Sequence, residues 1–178
     1  MEQVKEKKKI AKNYLYNLIY QVFLLIIPLA VTPYVSRVLK EDGVGIYSFS
    51  YSIVSYFVIL GALGFNYYAQ REIAKKRGSQ EEQNAFFWSI IFVRLITVSA
   101  SILVYLALIF TNVFSPHYKL ILILMVIHII SLYFDISFFF QGNEKFGKIV
   151  LRNVLIKSLG IALIFIFVKK PEDLYIYA

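Results

Sequence analysis

Five apolar stretches, residues 15–39, 44–69, 85–110, 120–140 and 149–168, follow one another with short polar connections, the longest being residues 70–84. Each reaches the ~20 residues that a helix needs to cross a hydrocarbon core. With 59 % hydrophobic and 17 % aromatic residues and a mean hydropathy of +0.66, the 178-residue chain is too apolar for a soluble domain. Lipid offers backbone groups no partner, so a segment that spans it as a single chain forms a helix. The expected fold class is all-α, a polytopic transmembrane helix bundle, with one transmembrane domain over residues 1–178. Residues 174–178 follow the polar segment 169–173 and read as the first turn of a sixth span, so the chain is expected to be part of a longer one. The basic start does not make a signal peptide, because the apolar run from Leu15 is about twice the ~7–15 residues of such a segment and no small-residue cleavage site ends it.

The net charge of +8 in such a chain is first an orientation signal and an attraction for lipid headgroups. Nucleic acid is not an expected partner. Placing the N-terminus on the cytoplasmic side puts Lys5, Lys7, Lys8, Lys9, Lys12, Arg71, Lys75, Lys76, Arg77, Lys145, Lys148, Arg152 and Lys157 at or near the inner face. Arg37, Lys40, Lys119, Lys169 and Lys170 remain outside, and thirteen against five is a positive-inside bias. The chain contains no cysteine, which excludes disulfides and thiolate metal sites without deciding the compartment.

The first two stretches are joined by an elbow. Pro28 and Pro33 each remove a backbone donor and crowd the preceding turn, so a helix through them is expected to bend or open. Arg37, Lys40, Glu41 and Asp42 follow, and Gly43 and Gly45 permit a tight reversal. Pro28, Pro33, Gly43 and Gly45 form either an ordinary kinked hairpin or a functional hinge.

Arg94 is the nineteenth cation and lies about ten residues into the third stretch, roughly 15 Å along a helix. An arginine at that depth costs at least ~2.5–3.5 kcal/mol to insert, so it faces the bundle interior or a wet cavity. It contacts either an anionic cargo or the carboxylate of Asp135, the one acid inside any stretch. His128, Ser131 and Asp135 are spaced i, i+3 and i+7, one face of an unbroken helix. Asp135 is a candidate for proton or sodium coupling or a structural partner of Arg94 or Lys157. His128 fits interhelical hydrogen bonding better than a switch or a metal ligand. Asn13, Asn17 and Gln21 recur at i, i+4 and i+8, an amide ladder that lines a cavity or bonds neighbouring helices. Lys148 and Arg152 are i,i+4 neighbours at the start of the fifth stretch, and Lys157 lies deeper in the same stretch. There is no Gly-rich phosphate loop, no His-Glu-x-x-His and no nucleophile with a base at fixed spacing, so no enzymatic activity, cofactor or metal is expected.

Residues 33–39, Pro-Tyr-Val-Ser-Arg-Val-Leu, continuing through Gly43-Val44-Gly45-Ile46-Tyr47, resemble the N-terminal signature of polysaccharide-biosynthesis membrane proteins, the Wzx-type flippases of the MATE-like superfamily. Gly64 with Arg71-Glu72-Ile73-Ala74, the run Phe139-Phe140-Gln141-Gly142-Asn143-Glu144-Lys145-Phe146, and Arg152-Asn153-Val154-Leu155-Ile156-Lys157 resemble further stations of the same family in order and spacing. Two positions depart from it. Lys40 stands where a glycine is common, and Phe138-Phe139-Phe140 lacks a tryptophan often found there.

The resemblance implies the N-terminal lobe of a two-lobed flippase in the bacterial inner or plasma membrane. Such a protein moves undecaprenyl-pyrophosphate-linked oligosaccharide from the inner to the outer leaflet for surface polysaccharide such as O-antigen, capsule or teichoic-acid-like polymers. Its implied partners are that lipid-linked oligosaccharide, membrane lipids, and a polysaccharide polymerase and ligase complex. Arg94, Arg152, Lys157, Arg37 and Arg71 are then the expected substrate-binding cations, with Asp135 and His128 in coupling or helix pairing. Two other functions compete: a multidrug or cation antiporter of the same superfamily, centred on Asp135, and a non-transporting membrane scaffold in glycan assembly.

Overall fold

The computed structural model describes the backbone of residues 2–111 and 113–178 and the side chains from residue 14 onward. Lys5, Lys7, Lys8, Lys9, Lys12 and Asn13 carry part of the sequence reading and have side chains outside the described residues. The described chain is helical: α1 (Glu2–Ala62), α2 (Phe65–Lys75), α3 (Gln80–Phe110), α4 (Pro116–Ile130), α5 (Ser137–Gly142), α6 (Phe146–Phe167) and α7 (Leu174–Tyr177). Short 3-10 turns at Ser131–Phe134 and Pro171–Asp173 complete it, and no strand occurs among the described residues. Tyr14–Lys75, Gln80–Phe110, Pro116–Gly142 and Phe146–Phe167 are long and apolar enough to cross a membrane.

The first of these segments, at 62 residues, is about three times the length one crossing requires. It doubles back at Lys40, the one residue inside α1 with non-helical angles, φ 59° and ψ −177°. The packing locates both limbs. A Cβ on Gly147 would lie 3.4 Å from the Tyr16 ring, and Gly142, five residues earlier, packs directly on Ile73. Residues 16 and 73 therefore share one end of the bundle, which we call the basic end. At the far end Tyr34 donates a 2.8 Å hydrogen bond to the Val168 carbonyl, and Phe49 meets Tyr118 at a ring separation of 4.9 Å. Residues 16–34 climb beside α6 and residues 49–73 descend against α3 and α4.

Lys40 corrects the elbow predicted from sequence. The reversal does not fall at Gly43 or Gly45, neither of which has positive φ, and the backbone stays helical through Pro28 and Pro33. Gly43 contributes by close approach instead, since a Cβ there would sit 3.0 Å from that of Leu39. A second break follows at Leu63 and Gly64, with φ of 42° and 69°, which interrupts the predicted continuous stretch 44–69. A third unwinds the predicted stretch 120–140, where Asp135 is extended at φ −80° and ψ 95° between α4 and α5.

The core is assembled from single faces. On α3 the buried residues Ile90, Arg94, Val98, Ser101, Tyr105 and Ile109 recur every three or four positions. Of these, Val98, Tyr105 and Ile109 meet Val31, Val35 and Leu39 of the climbing limb, Val54 and Phe57 of the descending limb, and Leu122, Met125 and Ile129 of α4 around one cluster, and Ile90 joins Ala69, Ile73 and Phe138 in a second. Lipid tails are as apolar as leucine, so helices in a membrane are held by close packing and interhelical hydrogen bonds rather than by expelling water. Ser101 donates to the Phe57 carbonyl at 2.7 Å, Thr97 to the Gly61 carbonyl at 2.9 Å, and Tyr105 to the Leu122 carbonyl at 2.8 Å.

Candidate functional site

Two polar assemblies sit within the apolar helices, one closed and one open. The closed one is built where α4 unwinds. Breaking the helix at residues 131–136 leaves carbonyls without intrahelical partners, which at membrane depth requires other donors. Arg94 supplies them. Its guanidinium donates to the main-chain carbonyl of Asp135, to that of Leu132 at 3.4 Å, and to the side-chain oxygen of Asn66. The same group lies 5.2 Å from the centre of the Phe138 ring, and the residue is 4 % exposed. Asn66 then donates through its NH2 to one Asp135 carboxylate oxygen at 3.2 Å, while the other accepts the Ser137 backbone N–H at 3.0 Å. Arg94, Asn66 and Asp135 thus form a relay in which the amide separates guanidinium from carboxylate.

This geometry bears on two sequence expectations. Arg94 does reach Asp135, but through the backbone, and it faces protein rather than a wet cavity. His128, Ser131 and Asp135 do not share a helical face, because the 3-10 turn and the extended residue rotate Asp135 out of register. His128 lies against Tyr51, ring centres 5.8 Å apart, with its buried Nε2 lacking a hydrogen-bond partner among the described residues. Asn66 was not singled out from sequence; its signal was a lone amide inside the apolar stretch 44–69, directly after Gly64.

The five predicted substrate-binding cations are not brought together. Arg94 is central and buried, Arg37 is exposed near the far end, and Arg71 is exposed at the basic end. Arg152 is half-buried, donating to Ser137 Oγ at 3.0 Å and to Asn153 at 3.1 Å, and Asn153 in turn donates to the Tyr20 hydroxyl at 3.2 Å. These bonds tie α6 to the start of α5 and to α1.

The open assembly lies on the outer surface. Lys157 is exposed eleven residues into α6, about 16 Å along it, with no hydrogen bond or ion pair to any described residue. It stands one turn above Asn153, at a height set by the Asn153–Tyr20 hydrogen bond and by the Tyr34–Phe165 ring contact further up. On the neighbouring limb of α1, Asn17, Gln21, Thr32 and Ser36 are exposed as well. An unpaired ammonium and an amide pair are costly against lipid tails, so this surface is suited to water, another protein surface or an anion.

Comparison with known proteins agrees with the family resemblance read from the sequence. The family described as "Polysaccharide biosynthesis protein" matches residues 10–178. A "Putative O-antigen transporter" of Escherichia coli (strain K12) is 26 % identical over 173 residues, which is 96 % of this chain and 41 % of that protein. A "Putative O-antigen transporter" of Shigella dysenteriae is 26 % identical over 148 residues, 83 % of this chain and 37 % of its own length. The chain therefore spans about two-fifths of the length of these relatives. No solved structure matches.

Proposed function

Because the chain belongs to the polysaccharide biosynthesis protein family and carries four helical segments long and apolar enough to cross a membrane, we propose that it is the N-terminal lobe of a flippase for lipid-linked oligosaccharide. In this reading the chain makes five crossings, two of them from α1, with the basic end on the cytoplasmic side, the arrangement that the distribution of lysine and arginine favours. The cargo carries a pyrophosphate between a polyprenyl tail and a sugar chain. The tail stays in lipid while the charged part passes along a polar face, and alternation between inward-open and outward-open arrangements moves it across.

The observation that carries this reading is Lys157, a cation without a partner among the described residues, at mid-height on an outer face beside a limb of α1 that exposes Asn17 and Gln21. In this proposal Lys157 meets the pyrophosphate, and Lys148 and Arg152 draw the headgroup toward the membrane at the basic end. Arg94 has a different task. Its guanidinium is bonded to the broken α4–α5 segment and to Asn66 of α2, so it holds the wall of the pathway in shape rather than touching cargo.

The test is export of lipid-linked glycan by the full-length protein, normalised to membrane-inserted protein. Lys157→Ala is expected to lower export by on the order of tenfold or more, and Lys157→Arg to preserve most of it, since the charge is what the anion requires. Near-normal export by Lys157→Ala would reject the role of this residue in cargo passage.

A further inference from the structure

At the basic end a cleft of about 450 Å³ opens between α2 and the α5–α6 turn, lined by Tyr67, Gln70, Arg71, Arg77, Gln141 and Phe146. Its volume is within the ~300–1,000 Å³ typical of small-ligand sites. The two arginines differ. Arg77 is committed to protein, donating from Nε to the Gly142 carbonyl at 2.7 Å and from a terminal nitrogen to the Glu144 carboxylate at 2.5 Å. Arg71 is exposed and makes no hydrogen bond or ion pair to a described residue. The side-chain amides of Gln70 and Gln141 make no hydrogen bond to one either. Among the described lining residues the cleft therefore carries one net positive charge, from Arg71, Arg77 and Glu144, with amide donors beside it.

Its depth follows from the aromatic residues around it. Tyr67 is 83 % exposed and Trp88 is 68 % exposed, and Tyr68 meets Phe86 at a ring separation of 6.0 Å, which puts the start of α2 and the lower part of α3 at one level. Exposed tyrosine and tryptophan collect where hydrocarbon gives way to headgroups. Arg71 is one turn beyond Tyr67 toward the charged end, where Lys75, Lys76 and Arg77 follow. That is the level of lipid phosphates.

We propose that this cleft is a binding site for the headgroup of an anionic glycerophospholipid. Arg71 grips the phosphodiester through its planar fork, Gln70 and Gln141 hydrogen-bond the phosphate or the glycerol hydroxyls, and the acyl chains lie along the exposed aromatic surface near Tyr67. One uncommitted guanidinium matches one phosphodiester charge. A pyrophosphate, with at least twice that charge, is poorly matched, because Glu144 already neutralises Arg77. The site is independent of which cargo the protein moves.

Native mass spectrometry of the full-length protein tests the assignment, with titrations of phosphatidylglycerol, phosphatidylethanolamine and undecaprenyl pyrophosphate. The expected result is one tight phosphatidylglycerol adduct, weakened on the order of tenfold by Arg71→Ala and about threefold by Arg71→Lys, with weaker binding of the zwitterionic lipid. Arg71 is exposed and unbonded, so unchanged thermal unfolding of both variants accompanies that result. Phosphatidylglycerol binding by Arg71→Ala within twofold of the parent overturns the proposal. So does displacement of phosphatidylglycerol by lower concentrations of undecaprenyl pyrophosphate with the same dependence on Arg71, which assigns the cleft to cargo entry.

Discussion

The guanidinium of Arg94 is bonded to the main-chain carbonyl of Asp135, and Asn66 stands between it and the Asp135 carboxylate. Charge pairing alone would have put the two side chains together. The broken helix offers Arg94 the Asp135 carbonyl and a share of the Leu132 carbonyl, which also accepts the Asp135 N–H at 3.3 Å, and a cation hydrogen-bonded to both answers its own burial.

Arg94→Ala is expected to destabilise the folded protein by about 3 kcal/mol, because several charge-assisted hydrogen bonds are lost and the half-buried Asp135 carbonyl is stranded. Asp135→Asn does not rescue it, since the carboxylate is not the main partner. Asn66→Ala lowers stability in the same direction by a smaller amount. Monodisperse protein recovered after a heating series in detergent reports all three, and recovery of the parent level in the Arg94→Ala, Asp135→Asn double variant would contradict the carbonyl assignment.

Lys40 turns the chain at φ 59° and ψ −177°, a region that side chains avoid and glycine tolerates. Its strain is on the order of 1–3 kcal/mol. Lys40→Gly is expected to raise stability by about 1 kcal/mol after the added freedom of the unfolded chain is deducted, while Lys40→Ala is close to neutral. Comparison of their thermal midpoints decides the matter. A glycine that gives no gain would show that the turn is relaxed as it stands.

Two glycines make a paired prediction. A Cβ on Gly142 would lie 2.6 Å from Ile73 Cγ2 and 2.8 Å from the Gln70 carbonyl oxygen, and a backbone oxygen cannot move aside cheaply. Gly142→Ala is expected to cost about 2–3 kcal/mol. Gly160, inside α6, has nothing within 4 Å of its would-be Cβ, so Gly160→Ala is neutral or stabilises by up to about 1 kcal/mol. Unfolding of the two variants in parallel checks the contrast, and equal effects would argue against the α2–α5 packing described here.

At the far end the Asp173 carboxylate accepts the backbone N–H groups of Lys169 and Lys170, both at 2.8 Å. These bonds hold its pKa below the ordinary value of 3.8. A depressed carboxylate pKa contributes stability that is present above the unfolded value and is lost as pH falls through the lower folded value. Hydrogen exchange at Lys169 and Lys170, corrected for intrinsic rates, is expected to accelerate below about pH 4. Asp173→Asn should show weaker protection at neutral pH and little further pH response. Unchanged protection in that variant would dismiss the capping role.

Single cysteines at Ser79 and Ser115 test the orientation, since those residues lie at opposite ends of α3 and its connection to α4. In intact cells an impermeant thiol reagent is expected to modify position 115 and spare position 79. The reverse pattern would invert the proposed topology.

The membrane class and the all-helical fold were determined by sequence alone, because hydropathy and length are properties of a chain read in one dimension. A helix must satisfy its own backbone in lipid, so twenty apolar residues leave little choice of local structure. Only the tertiary structure decided where those helices break. Residues 120–140 read as one apolar stretch, and nothing in their composition marks the unwinding at Asp135, which persists because Arg94 and Asn66 reach it from α3 and α2. Once the period is broken, i+7 no longer means the same face, and Asp135 parted from His128. Lys40 likewise took the reversal from the nearby glycines, since the turn's place follows from packing Val31, Val35 and Leu39 against Val54 and Phe57 rather than from the most flexible residue.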